Sequence, residues 1–385
     1  MKSSRLPLEN RIPYLDVLRV IATMLVLLVH APIARYADYG DTPSTLHAFY
    51  IVAVTIGSKL FFMISGALLL PVRRPWREFL NRRLHVVLIP LLLWSFIYML
   101  LRAYSGNLSP RQLVSIFFYP IDTSLWFVYV MVVFYVFMPV LSRCVEAVGK
   151  RGLELYLTLW ILSSLIPYQH GVFMEWEQFS HHMFSSFSGY LGYLVMGYYL
   201  HRWPLRLGER RVRWALALFV LVSVVAFPVF EFTVQSHFGL SYRQHLDTVT
   251  YDISINTIAM GVLLFVLVQY FAPACYATAG KKGLAPAVGQ VANCSYGIYL
   301  SNMLALRLLV WPATRPWLSS LPWIVDGLVC AVLVFCADLC ALPCHPARPL
   351  QQICDWALMV FTFIFRPVFE KFYYLYIRYY NINLM

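Results

Sequence analysis

Apolar residues run through this chain in long blocks separated by short polar segments that are rich in arginine. About ten blocks approach the roughly twenty residues that a helix needs to cross a bilayer core. They fall near 14–34, 48–70, 84–101, 124–142, 153–167, 184–200, 214–234, 252–272, 291–311 and 322–342. The fifth is short and the ninth has soft edges. The pattern predicts an all-α polytopic membrane protein with about ten transmembrane helices.

The basic residues test that reading independently. With the N-terminus placed in the cytoplasm, twenty-two of the thirty lysines and arginines fall on cytoplasmic segments. The outer loops hold only Arg35, Arg102, Arg111, Arg243 and Arg315, while Arg19, Lys59 and Arg307 lie within spans. This asymmetry is the positive-inside rule, and it breaks if one span is missed or invented. Both termini are therefore expected in the cytoplasm. Residues 1–13 form the N-terminal tail, 14–342 a single transmembrane domain, and 343–385 a cytoplasmic or interfacial C-terminal segment. Within the last, Cys354 to Met385 is aromatic and basic and reads as an interfacial helix rather than a further span.

Composition agrees. Apolar residues make up 60% of the chain and charged residues 12%, against about a quarter charged in soluble domains. The net charge of +12 follows from the topology and calls for no nucleic-acid partner. Asp16 and Arg19 interrupt the first apolar run, and Pro32 sits where a signal peptide would be cut, so helix 1 is expected to be retained.

Cysteines point to packing. The eight show no CxxC, and seven fall in spans or cytoplasmic segments, which argues against a disulfide framework. Cys336, Cys340 and Cys344 form a four-residue repeat with His345 beside it, read as small packing residues rather than a metal site. No GxxxxGK[ST], GxGxxG, HExxH or GxSxG occurs, so a P-loop, a dinucleotide fold, a zincin and a nucleophile elbow lack support.

The chemistry concentrates in the first span, which carries Asp16, Arg19 and His30 in an otherwise apolar run. Ionisable side chains are costly inside a bilayer and mark functional sites by default. Eleven residues is close to three helical turns, which places Arg19 and His30 on one face about 16 Å apart along the axis. Asp16, three residues before Arg19, is spaced to orient it. Lys59 and Arg307 are further intramembrane cations, and two readings stand for them: pairing with Asp326 or Asp338, or lining the substrate route.

Short words then recur along the chain: Leu15-Asp16-x-Leu18-Arg19 followed by x10 and His30; Phe61-Phe62-Met63-Ile64-Ser65-Gly66 in the second span; and Phe79-x-x-Arg82-Arg83 with Pro90 at the third. Leu125-Trp126-Phe127-Val128-Tyr129 opens the fourth, and Ser295-Tyr296-Gly297-Ile298-Tyr299-Leu300 lies in the ninth. In that order they resemble the acyltransferase-3 family of ten-helix integral-membrane O-acyltransferases, which includes bacterial polysaccharide O-acetyltransferases. The resemblance spans 14 to about 340. The chain departs from the pattern in two places. Leu84-His85-Val86 follows the Arg82-Arg83 pair where members often carry another arginine, and Asn302 stands where the family often has histidine. An amide hydrogen-bonds but does not accept a proton as a base. Ser65-Gly66 reads as a close helix contact rather than a nucleophile.

The resemblance implies transfer of an acyl group, expected to be acetyl, from cytoplasmic acetyl-CoA to a hydroxyl of a lipid-linked or surface polysaccharide at the bacterial inner membrane. Acetyl-CoA enters as co-substrate, with no permanently bound cofactor and no metal; membrane lipid and the envelope glycan are the other partners. An anionic donor needs a basic mouth on the inner face. Arg73, Arg74, Arg77, Arg82 and Arg83 between the second and third spans supply one, with guanidinium forks suited to phosphate. The expected donor-binding residues are thus Arg19, Arg73, Arg74, Arg82 and Arg83. A pantetheine arm threaded along helix 1 from Arg19 brings the thioester towards His30.

His30, Arg19 and Asp16 are the catalytic expectation, with His30 as the base that deprotonates a sugar hydroxyl. Direct transfer and a transient acyl-imidazole both remain open. Trp126, Asn302 and Lys59 are expected at the acceptor; Tyr36, Tyr39, Tyr168, Trp176, Trp311 and Trp317 are aromatic-belt candidates. Two other classes fit buried charges in a helical membrane protein. One is a secondary transporter or lipid-linked glycan flippase, against which stands the absence of internal repeats. The other is a non-catalytic sensor or assembly partner.

Overall fold

The computed structural model describes residues 11–33, 45–110, 112, 116, 118–164, 189–205, 208–224, 254–278, 285–318 and 323–341. The expectations for the N-terminal tail up to residue 10, for the C-terminal segment 343–385 with Cys344 and His345, and for Tyr36, Tyr39, Tyr168 and Trp176 lie outside them.

Among the described residues the regular structure is helical throughout: α1 (Pro13–Ile33), α2 (Thr45–Val54), α3 (Gly57–Leu69), α4 (Trp76–Tyr104), α5 (Trp126–Ser163), α6 (Leu191–Arg202), α7 (Glu209–Val224), α8 (Ile255–Thr278), α9 (Ala285–Ala305), α10 (Trp311–Leu318) and α11 (Trp323–Ala341). A 3-10 turn, Thr123–Leu125, feeds α5, and a π turn, Leu306–Val310, joins α9 to α10. Five helical stretches are long and apolar enough to cross a membrane: Pro13–Ala31, Tyr50–Leu69, Trp76–Tyr104, Thr123–Ser163 and Ile255–Ala274. The chain is a helical membrane protein.

Each apolar block meets at least one helix, but boundaries differ for local reasons. The block at 48–70 is split between α2 and α3 by a turn at Thr55 and Ile56. The blocks at 124–142 and 153–167 belong to one long element, α5, which breaks only at Gly149 (φ 61°, ψ −166°). That left-handed backbone suits glycine, and the polar stretch Arg143 to Arg151 is helical on both sides of the break rather than a loop. Helix α4 begins at Trp76, eight residues before its apolar block, so Arg77, Arg82 and Arg83 ride on its first turns instead of in a connecting loop.

Helix α1 is central and packs against α3, α8, α9 and α11. The tightest helix pair is α3 with α6. A methyl on Gly66 would collide with the Leu194 backbone, and one on Gly197 with the Met63 backbone. Small residues that admit a neighbouring backbone this closely drive helix association where lipid removes the hydrophobic incentive. The Ser65-Gly66 pair is therefore a close helix contact: Ser65 Oγ donates to its own helix at Phe61 O, 2.8 Å away.

Candidate active site

Two polar clusters sit at the two ends of α1. At its start, Asp16 is 4% exposed and bridges two arginines, with Oδ1 3.0 Å from Arg19 Nη1 and Oδ2 3.2 Å from Arg11 Nη1. Two guanidiniums on one buried carboxylate satisfy both oxygens, which is the condition for keeping the charge there. Arg11 also donates from Nη2 to Asn293 Oδ1 at 2.5 Å and lies over Gly289, where a side chain would occupy its place. The start of α1 is thereby fastened to α9. Arg19 keeps part of its side chain open, at 29%, and lies within electrostatic reach of Arg83 and of Tyr135 on α5.

Beside this cluster opens a cavity of about 980 Å³ lined by Arg73, Arg74, Arg82, Arg83 and Arg202, with Glu146 the one carboxylate on its wall among the described residues. Its size is at the upper end of small-molecule pockets, roughly 300–1,000 Å³. Four of the five arginines are expected donor-binding residues. The fifth expected donor contact, Arg19, is not on the lining but lies within electrostatic reach of Arg83, which is. Arg77 turns away and lies over Trp76, 5.2 Å from its ring centroid. Helix α6 contributes His201, whose Nδ1 is 2.5 Å from the Tyr14 hydroxyl on α1.

At the other end of α1, His30 Nδ1 is 2.7 Å from Asn302 Oδ1 on α9. The orientation of that amide is fixed, because Asn302 Nδ2 donates to the Tyr299 carbonyl. Only the oxygen of Asn302 is left for His30, so Nδ1 carries the proton and Nε2 is the basic nitrogen of the neutral ring. Asn302 is 1% exposed, and both ends of its amide are engaged within the protein.

The surrounding groups are tied to the same place. Tyr299 donates from its hydroxyl to the Ser124 carbonyl and its ring meets Phe127 at 5.6 Å. Ser124 donates from N and Oγ to Asp122 Oδ1 at 3.1 and 2.8 Å, and Asp122 Oδ2 accepts from Arg307 Nη1 at 2.8 Å. Arg307 projects from the π turn, a feature frequent at functional sites, and the Asp122–Arg307 pair is within electrostatic reach of His30. This corrects one expectation. Arg307 pairs with neither Asp326 nor Asp338 but with Asp122, a residue outside the apolar blocks; Asp338 accepts instead from Ser301, 2.8 Å away.

The sequence words converge on this region. Phe62 of α3 stacks with Phe127 at 4.6 Å and Tyr190 at 5.1 Å, and Trp126 meets Tyr190 at 5.2 Å. In α4 the Pro90 ring interrupts the hydrogen-bond ladder, and Tyr296 of α9 donates to Val87 O there at 2.9 Å. Lys59 is 1% exposed and donates to Thr55 O at 2.9 Å. Trp126 is half-buried in the aromatic cluster that reaches Tyr299 through Phe127.

Sequence reasoning passed over Arg11, Asp122, His201 and Arg202. Arg11 lies outside the apolar block and five residues from Asp16, a spacing that pairs nothing on a continuous helix. Asp122 sits in a loop, and Arg202 looked like one more inside cation.

No curated protein and no solved structure matches the chain. The acyltransferase-domain profile of the acyltransferase-3 family matches residues 12–342, from just after Arg11 through all of α11. With that match spanning both clusters and the cavity between the arginines, the chain belongs to the acyltransferase-3 family and is a membrane acyltransferase.

Proposed function

We propose that the protein moves an acetyl group from cytoplasmic acetyl-CoA to a hydroxyl of a lipid-linked or surface polysaccharide at the bacterial inner membrane. In this reading the chain crosses the membrane about ten times with both termini in the cytoplasm. The observation that carries it is the placement of two unlike sites on one helix: an arginine-lined cavity beside the start of α1, and a histidine with a fixed tautomer eleven residues beyond Arg19.

Each part answers a need of the chemistry. The phosphates of coenzyme A are strongly anionic, and Arg73, Arg74, Arg82 and Arg83 present forked donors to them. The pantetheine arm is neutral and narrow, and it follows α1 past Arg19, which Asp16 holds in position. At the far end the acceptor hydroxyl gives its proton to His30 Nε2 as its oxygen bonds to the thioester carbonyl carbon. The tetrahedral intermediate collapses by breaking the C–S bond, and the departing thiolate takes a proton from the imidazolium. Asn302 supports both steps by accepting the Nδ1–H bond, which holds the ring and stabilises its cationic form. It acts on His30 rather than on the acceptor. Trp126 offers the half-buried ring on which a sugar stacks, and the buried Lys59 is a cation on the acceptor side of this reading.

The family match favours group transfer over the transporter or flippase reading. The cellular test is the ester content of the envelope polysaccharide. Cells deprived of this protein should lose an alkali-labile acetyl group, restored by the native protein and not by His30→Ala. Unchanged ester content, or rescue by the His30→Ala form, would set the proposal aside.

A further inference from the structure

The donor cavity draws its arginines from two separate elements. Arg73, Arg74, Arg82 and Arg83 belong to the α3–α4 connection and the first turns of α4, whereas His201 and Arg202 end α6. Coenzyme A is likewise anionic in two places, at its 5′-diphosphate and at its ribose 3′-phosphate. The diphosphate joins the pantetheine arm directly. It therefore belongs with the arginines nearest the path along α1, and Arg83 is the cavity arginine within electrostatic reach of Arg19. The 3′-phosphate lies on the far side of the ribose from the thioester. It needs a second cation on another element.

We propose that Arg202, with His201 beside it, receives the ribose 3′-phosphate and makes the enzyme selective for coenzyme A over its 3′-dephospho form. The assignment rests on acyl-CoA being the donor. Three observations support it. Arg202 lines the cavity, and no carboxylate among the described residues pairs with it, whereas Arg74 is bound to Glu78 at 2.7 Å. The guanidinium carbon of Arg202 lies 5.9 Å from the Trp203 ring centroid, a cation–π distance that holds the fork in place without using its N–H donors. His201 Nδ1 is engaged by Tyr14. When the phenol donates to that nitrogen, Nε2 carries the proton and becomes a phosphate donor.

The test compares two donors on the purified full-length protein, acetyl-CoA and 3′-dephospho-acetyl-CoA, with acetyl release to an envelope glycan acceptor as readout. The native enzyme should show a KM for acetyl-CoA lower by about 10- to 100-fold, the weight of a hydrogen bond to a charged group. Arg202→Gln should raise the KM for acetyl-CoA and bring the ratio of the two towards one; Arg202→Lys should keep part of the preference. Equal KM values in the native enzyme, or a rise of the same size for both donors in Arg202→Gln, would overturn the assignment. Where Arg202→Gln does not fold, equal KM values in the native enzyme still overturn the assignment, and a narrowed preference in Arg202→Lys still supports it. Absence of transfer from either donor would remove the acyl-CoA reading and this inference with it, whereas transfer from both without preference would remove the inference alone.

Discussion

Asn302 accepts a 2.7 Å hydrogen bond from His30 Nδ1 across 272 residues of sequence, and its own Nδ2 is held by the Tyr299 carbonyl. A side chain that does no acid–base chemistry thus decides which nitrogen of the histidine is left free to accept a proton. The family often has histidine near this place, and an amide there gives the base a fixed tautomer instead of a second titrating partner.

Replacing Asn302 by Leu removes the acceptor from His30 Nδ1 and lets the ring turn or change tautomer. We expect kcat to fall by about 10- to 100-fold, by analogy with the loss on removing a group that orients a metal-bound histidine, with little change in the KM for acetyl-CoA. Steady-state kinetics with saturating acceptor measure the split. A raised donor KM with unchanged kcat would show that Asn302 serves binding.

A general base must be unprotonated to act. Transfer should therefore lose activity as pH falls, with a limiting slope of one in log kcat against pH on the acidic side. The rate depends on neutral imidazole, so it is full above the folded pKa of His30 and lost below it. His30→Gln should reduce kcat by about 10²- to 10⁴-fold and flatten that limb. A variant that keeps the native profile would transfer the role elsewhere.

In the proposed reaction the cavity arginines act on the donor alone. Arg83→Gln should raise the KM for acetyl-CoA by about tenfold or more through the loss of a charge-assisted hydrogen bond, and the shape of the pH profile should persist. Binding of labelled acetyl-CoA to the purified protein checks this directly. Unaltered donor affinity would displace the phosphates from this wall.

Stability depends on the closest helix contact. Gly66→Val forces a side chain into the Leu194 backbone, and overpacking of this kind costs about 1–3 kcal/mol or more. The unfolding temperature in detergent should drop without specific loss of donor affinity in the fraction that remains folded. A variant as stable as the native protein would contradict the described packing of α3 on α6.

Much of this was legible in the sequence because membrane spans and functional charges both leave strong marks. Apolar blocks located the helices, and Arg19 and His30 were conspicuous on an apolar helix. The cavity arginines between α3 and the first turns of α4 stood out by number. Gly66 was readable as a close contact, though its partner was not. What escaped were pairings between distant segments. Nothing local ties Asp122 to Arg307, or places Arg202 on the cavity wall with Arg83, since the residues come from separate elements and only packing brings them together. Asn302 drew notice by its position, but its hydrogen bond to His30 was not readable, since the two residues lie 272 apart in sequence. Helix ends were misplaced where polar turns stay helical beyond the apolar block, as in α4 and on both sides of Gly149.

The central claim is that His30 is the base for transfer from acetyl-CoA, and its most direct measurement is acceptor-dependent release of coenzyme A by the purified protein. The native enzyme should release coenzyme A in step with ester formation on an envelope glycan, and His30→Ala should bind acetyl-CoA normally yet release almost none. Undiminished release by His30→Ala, or no release by the native enzyme with any glycan acceptor, would contradict the account.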